Sequence, residues 1–318
     1  MKGKLHGWVW GGWLCLGVLG AIAPVGAADN AGQNPAAYLE LGPGGLTTAM
    51  GGAGGALRGD LTEAFFNPAG LVALPNTQVE FARSLLSLNR VMDYFAVGSN
   101  YEKAYYFGLA LTDYSAGNDL QARSGPSADP DSVFSDLNLN LMTTIAFPLA
   151  PDLDFGFNLK LFLQAYTLAD LPTGFGLGED LGFQVHPDAD TVWGLTIKDP
   201  LSDFLYSDGT EHFFPRGFRV GFSRRWADGR VKWDLDLEWR SDLGWVPHGG
   251  LEWRPARAIA LRGGAWSGLD SGEWGWGAGV GIFLGVAGAV GELDYTLSPD
   301  RLDADGLLQQ ISLVGNFQ

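Results

Sequence analysis

Lys232, Asp234, Asp236, Glu238 and Arg240 fall at every second position of one ten-residue run, with Val231, Trp233, Leu235, Leu237 and Trp239 between them. An extended chain puts the first set on one face and the second on the other. Charges of both signs on one face can pair with each other or grip polar groups brought against them. Lys160 and Arg219 hold the same inner position in two further alternating runs, and Glu252, Arg262, Glu292 and Asp294 extend the set. Two readings stand side by side: a paired network holding an internal segment, or solvated side chains whose pairing contributes little.

Other chemistry is poorly supported. His186, His212 and His248 are scattered through turns and loops without metal-ligand spacing. Asp129, Asp131 and Asp136 lack the central glycine of a calcium loop. No group of residues meets the requirements of a nucleophile with its base. Gly52-Ala53-Gly54-Gly55-Ala56-Leu57 misses the last glycine of a dinucleotide loop and has no Lys-Ser/Thr pair for phosphate. No catalytic residue, metal or cofactor is expected.

Composition narrows the class. The chain has 318 residues, with 36 acidic and 20 basic side chains and a net charge of -16, which excludes a nucleic-acid partner needing a basic face. Met1-Lys2-Gly3-Lys4, the apolar run 7–25 and the small residues 25–28 predict a cleaved signal peptide over 1–27. Residues 28–40 follow as a small, polar periplasmic leader. Cys15, the single cysteine, lies inside the signal, so thiol chemistry drops out of the mature chain. No later run supplies the 18 or so apolar residues of a membrane helix, which leaves a barrel as the membrane-spanning alternative.

From Thr77 onward the hydrophobic period is two. Alternation predicts about fourteen strands: 77–86, 91–100, 104–114, 134–147, 153–166, 173–186, 190–198, 214–226, 230–240, 245–254, 257–266, 274–283, 287–296 and 307–317. Tight connections alternate with longer ones, and Trp193, Trp226, Trp233, Trp239, Trp245, Trp253 and Trp274 sit near strand ends on the apolar face. Both features are those of an outer-membrane barrel with short turns on one side and aromatic girdles at the interfaces. The expected fold is an all-β, about 14-stranded antiparallel transmembrane barrel over 76–318. Arg83 falls on its apolar face, where mid-lipid burial would cost about 2–4 kcal/mol, so a bulge or an interfacial position is expected there. Gly275, Gly277, Gly279 and Gly281 leave room inside the wall for a hatch or ligand; easing the wall's coil is the commoner role of strand glycine.

Before the barrel, residues 41–75 are compact and differently patterned. Asp60 and Glu63 have capping-box spacing ahead of a short helix over 61–66, and Asn67-Pro68 reads as a second helix start that Gly70 stops. With an even strand number the chain enters and leaves on one side, so this segment can fold back into the lumen as a hatch.

Leu41-Gly42 through Ala49-Met50-Gly51-Gly52-Ala53, then Ala64-Phe65-Phe66-Asn67-Pro68-Ala69-Gly70-Leu71, resembles the start of PorV/PorQ-type outer-membrane proteins. These are similar to the FadL-like barrels, which share the Asn-Pro-Ala element in their plug. The resemblance implies a fourteen-stranded barrel in the bacterial outer membrane, with an N-terminal hatch of short helices inside the lumen. Met50, Phe65, Phe66, Asn67, Pro68 and Leu71 are then the hatch residues beside a ligand path. Lys160, Arg219, Lys232, Asp234, Asp236, Glu238, Arg240, Gly277 and Gly279 face the lumen. Family members divide between uptake of hydrophobic compounds and service to protein secretion of the type IX kind. Three functions follow as expectations: a transporter of hydrophobic small molecules, an accessory barrel partnering secretion-system proteins, or a structural barrel without transport. Outer-membrane lipid is a partner in each.

Overall fold

A computed structural model describes residues 35–317 apart from 118, 119, 124, 127, 128, 169, 287, 288 and 304; the expected signal peptide and most of the leader lie outside the described residues. The strands are β1 (Thr77–Leu85), β2 (Val91–Tyr101), β3 (Tyr105–Ser115), β4 (Leu120–Ala122), β5 (Ser132–Phe134), β6 (Asp136–Ala150), β7 (Leu153–Tyr166), β8 (Gly174–Val185), β9 (Thr191–Lys198), β10 (Asp203–Tyr206), β11 (Glu211–Phe213), β12 (Gly217–Trp226), β13 (Val231–Arg240), β14 (Gly244–Ala256), β15 (Ile259–Ser267), β16 (Trp274–Val286), β17 (Ala289–Pro299) and β18 (Leu307–Phe317). Fourteen of them form a closed antiparallel barrel. The ring closes where β18 meets β1, from Thr77↔Phe317 to Leu85↔Gln309. Closure leaves no free sheet edge, which is the condition for strands to cross lipid.

Two small hairpins stand outside the ring in connections that alternation read as loops. β4 pairs only with β5, between β3 and β6. β10 and β11 follow β9, and β10 adds to the upper part of β8 from Leu177 to Gly174. The lower part of β8 pairs with β9 from Asp180 to Val185. These three- and four-residue strands are too short for a period-two pattern to stand out from the surrounding turns.

Turns at the end holding Thr77 and Phe317 are tight, whereas most connections at the opposite end are longer. We call these the terminus end and the loop end. Large apolar side chains such as Phe81, Phe95, Leu109, Leu159, Leu235 and Ile311 are exposed on the outer face. Tryptophans gather at both ends of this belt. Trp193, Trp226, Trp233 and Trp253 lie toward the terminus end, and Trp239, Trp245 and Trp274 toward the loop end. An apolar band between two aromatic girdles matches a bilayer between its interfaces. No helix among the described residues is long and apolar enough to cross a membrane.

Arg83 is accommodated without a bulge, because β1 keeps an unbroken register with both neighbours. The side chain faces outward near the loop end of β1 and makes a fork of two bonds to the Asp93 carboxylate on β2, at 2.7 and 2.6 Å. The register puts the two residues directly opposite each other, a pairing that a single-strand reading of β1 does not see.

Candidate functional site

Residues 36–74 lie against the inner face of the wall. They contain two short helices, α1 (Gly45–Ala49) and α2 (Glu63–Phe66), and 3-10 turns at Ala37–Leu41 and Pro68–Ala73. Packing begins ahead of the boundary expected at Leu41: Tyr38 is buried and stacks on Tyr114 of β3 at 5.1 Å. Tyr38 and Leu41 join Leu86, Met92, Phe162, Phe204, Phe214 and Leu308 in one apolar cluster toward the loop end. Leu61, Ala64, Leu71 and Leu74 form another with Tyr94, Tyr106, Ala110 and Met142. Each fully buried leucine contributes about 1.5–3 kcal/mol. The segment therefore runs down the inside of the wall toward β1.

Local chemistry explains the turns. The Asp60 amide donates to Glu63 Oε2 at 3.0 Å, one half of the capping box, while Asp60 Oδ1 accepts from the Thr62 amide and hydroxyl. Asn67 Oδ1 accepts from the Ala69 amide at 3.1 Å with Pro68 in the first position, the arrangement expected of a cap. Gly70 does not stop the turn, which continues to Ala73. Gly70 is held between Leu57 and Gln184, where a Cβ would crowd the Leu57 carbonyl oxygen at 2.7 Å.

A backbone without regular structure must find hydrogen-bond partners elsewhere when buried. Here the wall supplies them. Asp236 Oδ2 accepts from the amides of Gly54 and Gly55 at 2.8 and 2.9 Å. Arg219 donates to the Gly52 carbonyl at 2.6 Å and to Asp236 at 2.8 Å, and also grips Glu238. His248 bridges the Gly51 carbonyl and Glu238 at 2.9 and 3.2 Å. Gln184 donates to Leu57, Asn158 to Ala64 and Thr196 to Phe66, at 2.7, 2.9 and 3.0 Å. Farther round, Thr296 donates to Gly45 and Gln310 to Pro43. Asn67 returns the interaction, donating from Nδ2 to the Gly55 carbonyl within the segment and to the Phe183 carbonyl on β8, at 2.9 and 3.2 Å.

Glycine lets the backbones come close enough for these bonds. A Cβ on Gly194 would overlap the Gly55 carbonyl, one on Gly182 the Asn67 side chain, and one on Gly156 the Pro68 backbone. Gly277 and Gly279 lie against Thr48 and Ala49 of α1, and Gly264 against Met50. The glycine face of β16 therefore serves close approach to the segment at these two positions, the role given second place on sequence grounds.

The remaining expected residues separate into groups. Lys160 is buried and bonds Asp180 and Asp199 at 2.9 and 2.8 Å. Arg240 holds Glu40 of the segment and Asp242 at 2.8 and 2.6 Å. Asp234 is buried beside Ser223, with the Lys232 charge acting on it. Lys232 lines a separate cavity at the terminus end, together with Leu57 and Arg58. Met50 and Leu71 are fully buried packing residues. The strand-borne His248, Asn158, Gln184 and Thr196 were not among the expected site residues. Their signal is a polar side chain at an inward position of an alternating strand, which becomes informative only once something is known to fill the lumen.

At the loop end a cavity of about 100 Å³ is bounded by Leu39, Phe65, Phe66, Phe162, Phe214 and Pro215, with Lys160, Lys198, Arg219 and Arg240 among its charged edges. Lys198 Nζ stands 5.3 Å from the Phe65 ring centre, 5.7 Å from that of Phe66 and 3.8 Å from Glu238. The other cations have closer carboxylates, whereas Lys198 stands between Glu238 and the faces of Phe65 and Phe66.

Burial pushes the Glu63 carboxyl well above the usual carboxylate range, and the Asp60 charge adds to the push. A carboxyl whose pKa is higher in the seated state is favoured there in neutral form. Its contribution is fully present below the unfolded pKa and diminishes as pH rises toward the raised value. Glu63→Gln is expected to remove that dependence while keeping an oxygen for the Asp60 amide. Hydrogen exchange over 60–66, corrected for intrinsic rates, should show protection falling from pH 5 to 8 in the parent chain and staying level in the variant.

Solved structures with this fold include three of like size. The toluene transporter TbuX of Ralstonia pickettii superposes with a TM-score of 0.61 at 14% identity, covering 87% of this chain and 99% of its own. The toluene transporter TodX of P. putida gives 0.63 at 14%, with coverages of 86% and 96%. A FadL homologue from Pseudomonas aeruginosa gives 0.58 at 10%, with 86% and 98%. No protein-family model and no curated protein matches the sequence. The barrel thus has the FadL-like fold.

Proposed function

We propose that this protein carries hydrophobic small molecules across the bacterial outer membrane, with residues 36–74 acting as a hatch in the lumen. The observation that carries this reading is the loop-end cavity. Leu39, Phe65 and Phe66 of the segment meet Phe162, Phe214 and Pro215 of the barrel and its loops around a space of about 100 Å³. An apolar molecule entering there exchanges water for aromatic surface, gaining about 25 cal/mol per Å² buried. Because Ala36, Leu39, Glu40, Phe65 and Phe66 of the lining belong to the segment, a molecule in the cavity touches the part that must move for onward passage. The PorV/PorQ-like motifs in residues 41–71 support the hatch assignment. That TbuX and TodX are toluene transporters supports the substrate class, as does the likeness of fold over 86–87% of this chain.

The test is uptake of radiolabelled toluene by cells lacking their own barrels of this fold. Producing this protein should raise the initial rate, and Phe65→Ala should lower it toward background, because the ring is part of the apolar lining. The reading fails if uptake is no faster with the protein than without it while the barrel is folded in the outer membrane.

A further inference from the structure

The terminus end holds a second cavity, of about 480 Å³, within the range of small-ligand sites. Ala56, Leu57 and Ala73 of the seated segment and Val192 of β9 give it an apolar side. Four basic residues line it as well: Arg58, Arg225, Lys232 and Arg254. This is an unusual concentration in so acidic a chain. Of the 20 basic residues, Arg224, Arg225, Arg230, Lys232, Arg254 and Arg257 all stand at the terminus ends of β12–β15 or in the turns joining them.

Asp188, Asp190 and Glu252 line the same cavity, and their engagement differs from one to the next. Glu252 is occupied by Arg254 and Arg262 at 2.8 and 2.7 Å. Asp188 accepts the Asp190 amide at 2.9 Å within its own turn. Asp190 is mostly exposed and only 3.8 Å from Arg225, too far for a hydrogen bond. His186 and Arg58 share Asp154. Lys232 has no hydrogen bond and no carboxylate within 4.0 Å among the described residues; Glu252, Asp234 and Glu63 act on it only from beyond that distance, and it lines the cavity. An ammonium without a bonded carboxylate on the wall of this cavity, with guanidinium groups around the same space, suits a multivalent oxyanion. Arginine forks and a lysine point charge together supply what phosphate oxygens accept.

We infer that the terminus-end cavity is an anion site that binds a phosphate ester, with Lys232 as its central cation and Arg225 and Arg254 at its rim. The ester's apolar portion lies along Ala56, Leu57, Ala73 and Val192. This inference is independent of the toluene reading, since it concerns the opposite end of the lumen and different residues. A lipid headgroup and a soluble phosphate ester share the chemistry, and experiment distinguishes them.

The experiment uses the whole folded protein in detergent micelles, with the heat-modifiable gel shift as a check on the barrel. Native mass spectrometry and titration calorimetry would follow dioleoylphosphatidylglycerol and glycerol 3-phosphate, with dioleoylglycerol and glycerol as phosphate-free controls. Binding of the phospholipid alone assigns the site to a membrane lipid, and binding of glycerol 3-phosphate assigns it to a soluble ester. In either case Lys232→Met should weaken binding at least tenfold, and Lys232→Arg should stay within about threefold of the parent. Arg225→Met, at an exposed rim position that does not endanger folding, should also weaken binding. Failure of both phosphate compounds to bind overturns the inference. So does equal binding of the phosphate-free controls, or an affinity unchanged in Lys232→Met and Arg225→Met.

Discussion

Gly194→Val is expected to open the lumen without opening the barrel. Gly194 faces inward from β9, and a Cβ there would overlap the Gly55 carbonyl oxygen and reach 3.0 Å from Asn67 Nδ2. The obstruction is backbone, so no rotamer change relieves it, and the two valine methyls enlarge the conflict. Overpacking of this kind costs about 1–3 kcal/mol when the surroundings can shift. The part able to shift is the segment, because β9 is tied to β8 and β12 by ladders from Trp193↔Val185 to Lys198↔Gly217. In planar bilayers the parent protein should be nearly silent, whereas Gly194→Val should give frequent conductance steps and keep its heat-modifiable band. Gly285→Val is the matched control, since nothing among the described residues lies within 4 Å of the added Cβ. Conductance that is identical in all three proteins would mean that the segment does not close the lumen at this level.

Asp236→Ala should loosen the same region by a different route. One carboxylate oxygen of Asp236 takes the Gly54 and Gly55 amides and the Arg219 guanidinium. Removing it leaves two buried amides without an acceptor, each costing about 1–3 kcal/mol. Arg219 keeps Glu238 and the Gly52 carbonyl, so the charge itself is not stranded. A loss of about 3 kcal/mol in local stability corresponds to amide exchange about a hundredfold faster. Exchange mass spectrometry should show this over residues 51–57, with β13 and β14 as slow as before. Unchanged protection at 51–57 would show that other contacts hold the loop. An Asp236→Asn variant offers one oxygen without the charge and should lose less.

The barrel was largely legible along the chain. A strand in a lipid-embedded wall exposes every second side chain to hydrocarbon, so Val231–Arg240 displays its two faces in ten consecutive letters. Connections of alternating length carried the topology, because a chain that crosses and returns must distinguish its two ends. The Asn67-Pro68 cap was readable, since it acts on neighbours within two residues, whereas the helix expected over 61–66 begins at Glu63 without a side-chain cap and only the Glu63 half of the Asp60–Glu63 box forms. The FadL-like resemblance of residues 41–71 pointed to the same architecture.

What the lumen residues do could not be read that way, because their partners are distant in sequence. Asp236 meets Gly54 across 182 residues, and Gln310 meets Pro43 across 267. Asn67 looked like a helix cap and is one, yet it also ties the segment's Gly55 to the β8 backbone. Glycines whose absent side chains suggested easy coiling turned out to be the space into which another backbone fits. Lys232 and Arg240 are equivalent in the alternating pattern but lie at opposite ends of β13, one beside an open cavity and the other bound to Glu40. By itself the sequence determined the wall, because lipid imposes one rule on every strand. Only the tertiary structure decided which inward groups are occupied and which remain available, because burial and pairing in the lumen depend on the segment packed within it.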